Sequence, residues 1–205
     1  MDRPVEDFVS QMQLNYVGAV TASKAVVRRM VARKQRGGRL LFVSSQGGMT
    51  GCIGYAAYSP TKFAVRGLAE CLRHELLPYG ISVHCVFPGN MRTPGYEHEQ
   101  LTKPAETKAI ESGEPLQDPD EAARATLDSL RKGDYAIFGG NFSGFFLGRA
   151  SAGLTPRSTL MLDVLLAPIL VLYLEAHRVF VLDRAVAKVP EESGATTAAT
   201  SVHRT

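Results

Sequence analysis

Tyr58-Ser-Pro-Thr-Lys62 is the segment of this sequence whose residue types and spacing can do chemistry. Tyr and Lys four positions apart fall on one face of a helix, a turn from each other. An ammonium held beside a phenol favours phenolate and lowers the phenol's pKa. A tyrosine tuned in this way can exchange a proton with a carbonyl or an alcohol near neutral pH. Ser45 precedes Tyr58 by 13 positions, across a single loop, so its hydroxyl can reach the same substrate oxygen. No side chain carries a hydride, so a redox reaction at these residues needs a cofactor. Taken singly, each residue also has a plain structural reading. Ser45 can be the turn at a strand end, Lys62 a solvated helix charge, and Tyr-x-x-x-Lys a chance pairing.

The elements that must position these residues alternate. Residues 5 to 34 predict a long helix, with Phe8, Met12, Tyr16, Val20 and Val27 at near-helical spacing and basic residues crowding its end. Gly37-Gly38 stops it, and RLLFVSS over 39–45 predicts a buried parallel strand. A glycine-rich loop over 46–54 leads to a second helix from about 56 to 78, with Pro60 in its first turn. Residues 81 to 87 predict a second strand, ended by Pro88-Gly89. Asp118-Pro119-Asp120-Glu121 is a helix start, and that helix runs to about 131. Residues 134 to 138 predict a third strand. Helix and strand in alternation give an α/β class with a parallel sheet.

Composition narrows the function. The chain has 205 residues, of which 45% are hydrophobic, enough for one domain with a core. A net charge of +3 is too small to argue for nucleic-acid binding. Cys52, Cys71 and Cys85 lie far apart without metal-ligand spacing, which predicts a reduced compartment and no structural metal. The first residues, MDRPVEDF, do not read as a signal peptide.

Asn15 in the first helix, VSS ending at Ser45, YSPTK over 58–62 and FPGNMRT over 87–93 stand in one order and register. In that set the chain resembles the short-chain dehydrogenase/reductase family. The resemblance implies a Rossmann-like, doubly wound parallel sheet, a nicotinamide cofactor and a catalytic tetrad at Asn15, Ser45, Tyr58 and Lys62. It makes Tyr58 the general acid and Ser45 the group that polarises the carbonyl. Lys62, with Tyr58, binds the nicotinamide ribose, and Asn15 holds a helix kink and a water of the proton relay. Pro88, Gly89, Met91 and Thr93 match the segment that borders the nicotinamide ring. The first two helices match the family's dimer interface, which implies a homodimer. VSSQGG, AAYSPTKFAVRGLAECLRHEL, PYGISV, RTPGYEHEQLTKPAETKAIE and DYAIF further resemble the branch that reduces long-chain 3-keto sphingoid bases with NADPH. That branch implies the cytosolic face of the endoplasmic reticulum membrane. A steroid or retinoid carbonyl reductase, or an inactive chain that only dimerises, are the rival readings.

The family's opening turn, T-G-x-x-x-G-x-G, and its Asn-Asn-Ala-Gly element are departures: neither occurs in the 205 residues. The glycines at 47, 48, 51 and 54 lie between Ser45 and Tyr58 and do not replace a phosphate-cradling turn. The expectation is therefore an N-terminally truncated chain, with the catalytic half of the sheet, an open apolar edge at the first strand and weak NADPH binding on its own. Residues 1–153 are read as the partial dehydrogenase domain, 154–189 as a hydrophobic helical extension and 190–205 as a disordered tail. The glycine-flanked cluster Phe142, Phe145, Phe146 and Leu147 reads as loop core or as an apolar wall for a lipid chain. For Leu160 to Leu182, a buried helix, an interfacial helix and a spanning segment compete. Membrane association through 155–190 is the favoured reading, because Arg178 and Arg184 flank the apolar run.

Overall fold

The structure is a computed structural model, and it describes residues 3–33, 37–151 and 160–184. Helix α1 (Val5–Met12) continues through a π turn (Gln13–Val17) into α2 (Gly18–Ala32). The expected single helix is thus present with one wide turn inside it, centred on Asn15. Strand β1 (Arg39–Val43) follows, then a short 3-10 turn (Gln46–Gly48) and α3 (Ser59–Glu75). Strand β2 (Ser82–Val86) pairs in parallel with β1 on one side and with β3 (Ala136–Ile137) on the other. The order β1-β2-β3 and the helices between the strands give the expected α/β class with a parallel, Rossmann-like sheet.

Three further helices lie between β2 and β3. These are α4 (Pro94–Gln100), α5 (Ala105–Glu111) and α6 (Pro119–Lys132). The cap expected at Asp118 is formed: its carboxylate accepts from the Asp120 and Glu121 amides at 2.9 and 3.2 Å. Helix α7 (Phe142–Ala150) stands where loop was expected, and α8 (Leu160–His177) runs on into a π turn (Arg178–Asp183). Strand β3 is shorter than its sequence pattern, because only Ala136 and Ile137 find partners on β2.

The core lies between the sheet and α3. Val65 and Ala69 of α3 pack on Phe42, Val83 and Cys85, with Ile81, Phe87 and Tyr135 closing the ends. β2 is buried along most of its length, as a central parallel strand must be. β1 differs. Among the described residues it pairs only with β2, and Leu41 and Val43 are 36% and 57% exposed. The expected tail over 190–205 lies outside the described residues.

Candidate active site

Ser45 sits just past the carboxyl end of β1, where open parallel sheets place their ligands. Its backbone is held by the neighbouring strand. The Ser44 amide donates to the Val86 carbonyl at 2.9 Å, and the Gln46 amide to the Pro88 carbonyl at 3.1 Å. The Ser45 hydroxyl caps the 3-10 turn, accepting from the Gly47 amide at 3.1 Å. A Cβ on Gly47 would stand 3.6 Å from Ser45 Oγ and 3.5 Å from the Tyr58 ring. A hydrogen there leaves the space between the two functional groups open.

Tyr58 occupies the N-cap position of α3 rather than its interior, after a turn in which the Tyr58 and Ser59 amides donate to the Tyr55 carbonyl. Lys62 is one turn on, its amide 3.4 Å from the Tyr58 carbonyl. The Lys62 ammonium donates to the Val43 carbonyl at 3.2 Å and lies 5.5 Å from the centroid of the Tyr58 ring. The sequence places an ammonium beside the phenol oxygen, whereas the structure places it over the ring face. Burial dominates the Tyr58 phenol and pushes its pKa up, the Ser45 hydroxyl pulls it down, and the Glu99 carboxylate raises it further. Burial also pulls the Lys62 ammonium below its ordinary range.

Strand, turn and helix are locked to one another here. Ser44 Oγ donates to the Lys62 carbonyl at 2.9 Å. Gly48 packs between them: a Cβ would press on Ser44 Oγ and stand 2.8 Å from the Lys62 carbonyl. Asn15 reaches the same helix from the π turn, where its Nδ2 donates to Thr61 Oγ1 at 3.0 Å. Thr61 is fully buried between Tyr58 and Lys62. All four candidate catalytic residues therefore converge on the first turn of α3.

The Pro88–Thr93 segment leaves β2 beside this turn. A Cβ on Gly89 would lie 2.6 Å from Asn141 Nδ2 and 3.0 Å from Gln46 Nε2, so the segment passes close to the Ser45 loop. Met91 forms a parallel bridge with Gln117, and Thr93 caps α4 by accepting from the Tyr96 amide at 3.2 Å. Two groups were not found from the sequence. Asn141, buried at the start of α7, accepts from Gln46 Nε2 at 2.8 Å and so braces the residue next to Ser45. Tyr55, Glu99, Lys103 and Glu111 form a polar cluster beside Tyr58, for which the Glu-x-x-x-Lys spacing of Glu99 and Lys103 is the one local signal.

A family profile described as short chain dehydrogenase matches residues 2–103. The chain is 43% identical over 169 residues to a 3-ketodihydrosphingosine reductase of Dictyostelium discoideum, covering 82% of this chain and 50% of that one. It is 39% identical over 157 residues to a 3-dehydrosphinganine reductase of Danio rerio, covering 76% and 46%. The chain belongs to the short-chain dehydrogenase family. A short-chain dehydrogenase of Burkholderia cenocepacia, solved in complex with NADP, superposes with a TM-score of 0.58 at 24% identity, over 74% of this chain and 57% of that one. That likeness is one of fold. This short-chain dehydrogenase sequence spans about half the length of the curated relatives it matches.

Proposed function

We propose that this chain supplies the proton-handling side of a reductase that converts 3-ketodihydrosphingosine to dihydrosphingosine with NADPH. The observation that carries the reading is the convergence of Ser45, Tyr58 and Lys62 on one turn at the carboxyl end of β1. The names of the similar reductases supply the substrate class. Tyr58, held protonated by burial, is the general acid that delivers a proton to the substrate oxygen. Ser45 donates to that oxygen and steadies the phenol. Asn15 fixes Thr61 and with it the first turn of α3.

The residues around Tyr58 fit the nicotinamide-ribose half of a dinucleotide. An ammonium has three donors, and Val43 takes one from Lys62, leaving two for ribose hydroxyls. Tyr58 and Lys62 hold the ribose in this reading, and Pro88, Gly89, Met91 and Thr93 border the ring. When bound, the nicotinamide supplies the hydride. NADPH rather than NADH is part of the proposal, and parallel assays with the two cofactors test it.

Residues 1–153 form the catalytic half of the domain in this reading, and 154–189 attach it to the cytosolic face of the endoplasmic reticulum membrane. Support for the membrane is one helix, Met161–Val181, long and apolar enough to cross a bilayer, with a mean hydropathy of 1.8. Support for a homodimer is the run of exposed apolar residues Val9, Val17 and Val26 on α1, the π turn and α2, with Phe63 on α3.

Incubating the protein with 3-ketodihydrosphingosine and NADPH, and following the nicotinamide absorbance, tests the function. Tyr58→Phe is expected to lower turnover by about 10²–10⁴. Turnover that survives in that variant rules out the assigned acid. Self-association without turnover by the unaltered chain favours the rival reading of an inactive, dimerising protein.

A further inference from the structure

Tyr55 places one hydroxyl hydrogen between two carboxylates. Its Oη lies 2.7 Å from Glu99 Oε1 and 2.5 Å from Glu111 Oε1. A phenol donates a single hydrogen bond, so one of these contacts lacks a proton. Lys103 bonds both carboxylates, at 2.5 Å to Glu111 Oε2 and 3.1 Å to Glu99 Oε1. Its own side chain is 1% exposed, against 15% for Glu111 and 43% for Glu99. One buried ammonium facing two carboxylates leaves one negative charge. Of the two carboxylates Glu99 is the more open, and its Oε2 takes no bond among the described residues.

The position of this charge gives it meaning. The Tyr55 and Tyr58 rings stand 5.8 Å apart, so Glu99 lies one aromatic ring from the candidate acid. Lys103 and Tyr55 hold the carboxylate in place, so it is oriented before any ligand arrives. The substrate class proposed above is an amino ketone, in which a protonated amine sits on the carbon next to the carbonyl. Resting on that reading, we infer that Glu99 is a specificity-determining residue that pairs with the substrate's ammonium group while the neighbouring carbonyl faces Tyr58. The ammonium brings the donor hydrogens that the Tyr55 cluster lacks. A simple ketone brings none, and it leaves the carboxylate unmatched beside the reacting group.

The test is a binding comparison that needs no cofactor. Short-chain sphinganine and its N-acetyl derivative are each dialysed to equilibrium against the full chain. A charge-assisted pair is worth enough that the free amine is expected to bind about tenfold tighter or more. Glu99→Gln, which keeps an acceptor for Tyr55, is expected to bring the two ligands level, and Glu99→Asp to restore most of the preference. Thermal melts establish that both variants are folded, and the comparison on the unaltered protein stands without them. Equal binding of amine and amide by the unaltered chain overturns the inference and leaves the reductase reading intact. An amine preference unchanged in folded Glu99→Gln also overturns it. Failure to bind either ligand overturns the substrate class and the inference together.

Discussion

Tyr58 is a buried phenol whose neighbours act on its proton in opposite senses. Desolvation and Glu99 favour the neutral form, and Ser45 favours the ionised one. Gly48 is the residue that lets the end of β1 and the first turn of α3 meet beside it. A Cβ there would meet the backbone of Lys62 at 2.8 Å, and backbone cannot swing aside as a side chain can. Gly48→Ala is therefore expected to cost about 1–3 kcal/mol, read as a lower midpoint in denaturant unfolding. Cys85, fully buried on β2, gives a prediction in pH. Burial pushes its thiol from the ordinary 9.0 up to about 12. The unfolded chain then releases this proton before the folded chain does, so stability is whole below pH 9 and falls as pH rises toward 12. Thermal melts across that range are expected to show a shallower fall in Cys85→Ala than in the parent. Ser45, Tyr58 and Lys62 were legible in the sequence because they lie close in the chain and their spacing reports one loop and one turn. The Tyr55 cluster was not, because its bonds to Glu99 and Glu111 span 44 and 56 positions. No local spacing reports such contacts.

The elements repeat that division between local and distant information. Phe8, Met12, Tyr16 and Val20 recur every four residues, slower than the α-helical period, so an unbroken α-helix would carry them off its inner face. The π turn at Gln13–Val17 takes more residues per turn and absorbs that drift, which is the physical sense of the spacing. Strand β3 was read too long because apolar alternation says nothing about where a pairing partner ends. Helix α7 was hidden by its composition: glycines and phenylalanines mask a helical period. The overlooked signal was Asn141, an N-cap residue that accepts from the Gly144 amide at 2.7 Å. The same side chain holds Gln46, so α7 and the Ser45 loop are expected to loosen together. Asn141→Ala should lose about 1–2 kcal/mol of stability and speed hydrogen exchange at both the start of α7 and residues 46–48. Faster exchange confined to α7 would separate the cap from the loop.

At the scale of the whole molecule, the open side of β1 and the exposed face of α8 are two of the surfaces left uncovered among the described residues. Leu41 and Val43 leave one apolar face of β1 exposed, beside a strand edge that pairs with nothing among the described residues. Along α8, Met161, Val164, Leu165, Ile169 and Leu172 are exposed, while Asp163 and Leu170 are buried. A flotation assay on liposomes tests the bilayer reading: the full chain is expected to float, and a version without residues 155–190 to stay in the dense fraction. Equal flotation of the two would rule out attachment through this segment. Fold class and the grouping of Ser45, Tyr58 and Lys62 were readable here because each repeats a local pattern. The heading of α8 was not, because an all-round apolar helix carries no stripe to say which side faces inward. A contact between Arg149 of α7 and Asp163 of α8 helps to fix that heading, with Leu170 buried on the same side. This pair fastens α8 to α7. Through Asn141 at the start of α7, which holds Gln46, the same frame reaches the Ser45 loop, so a load on the apolar helix is carried to the candidate site.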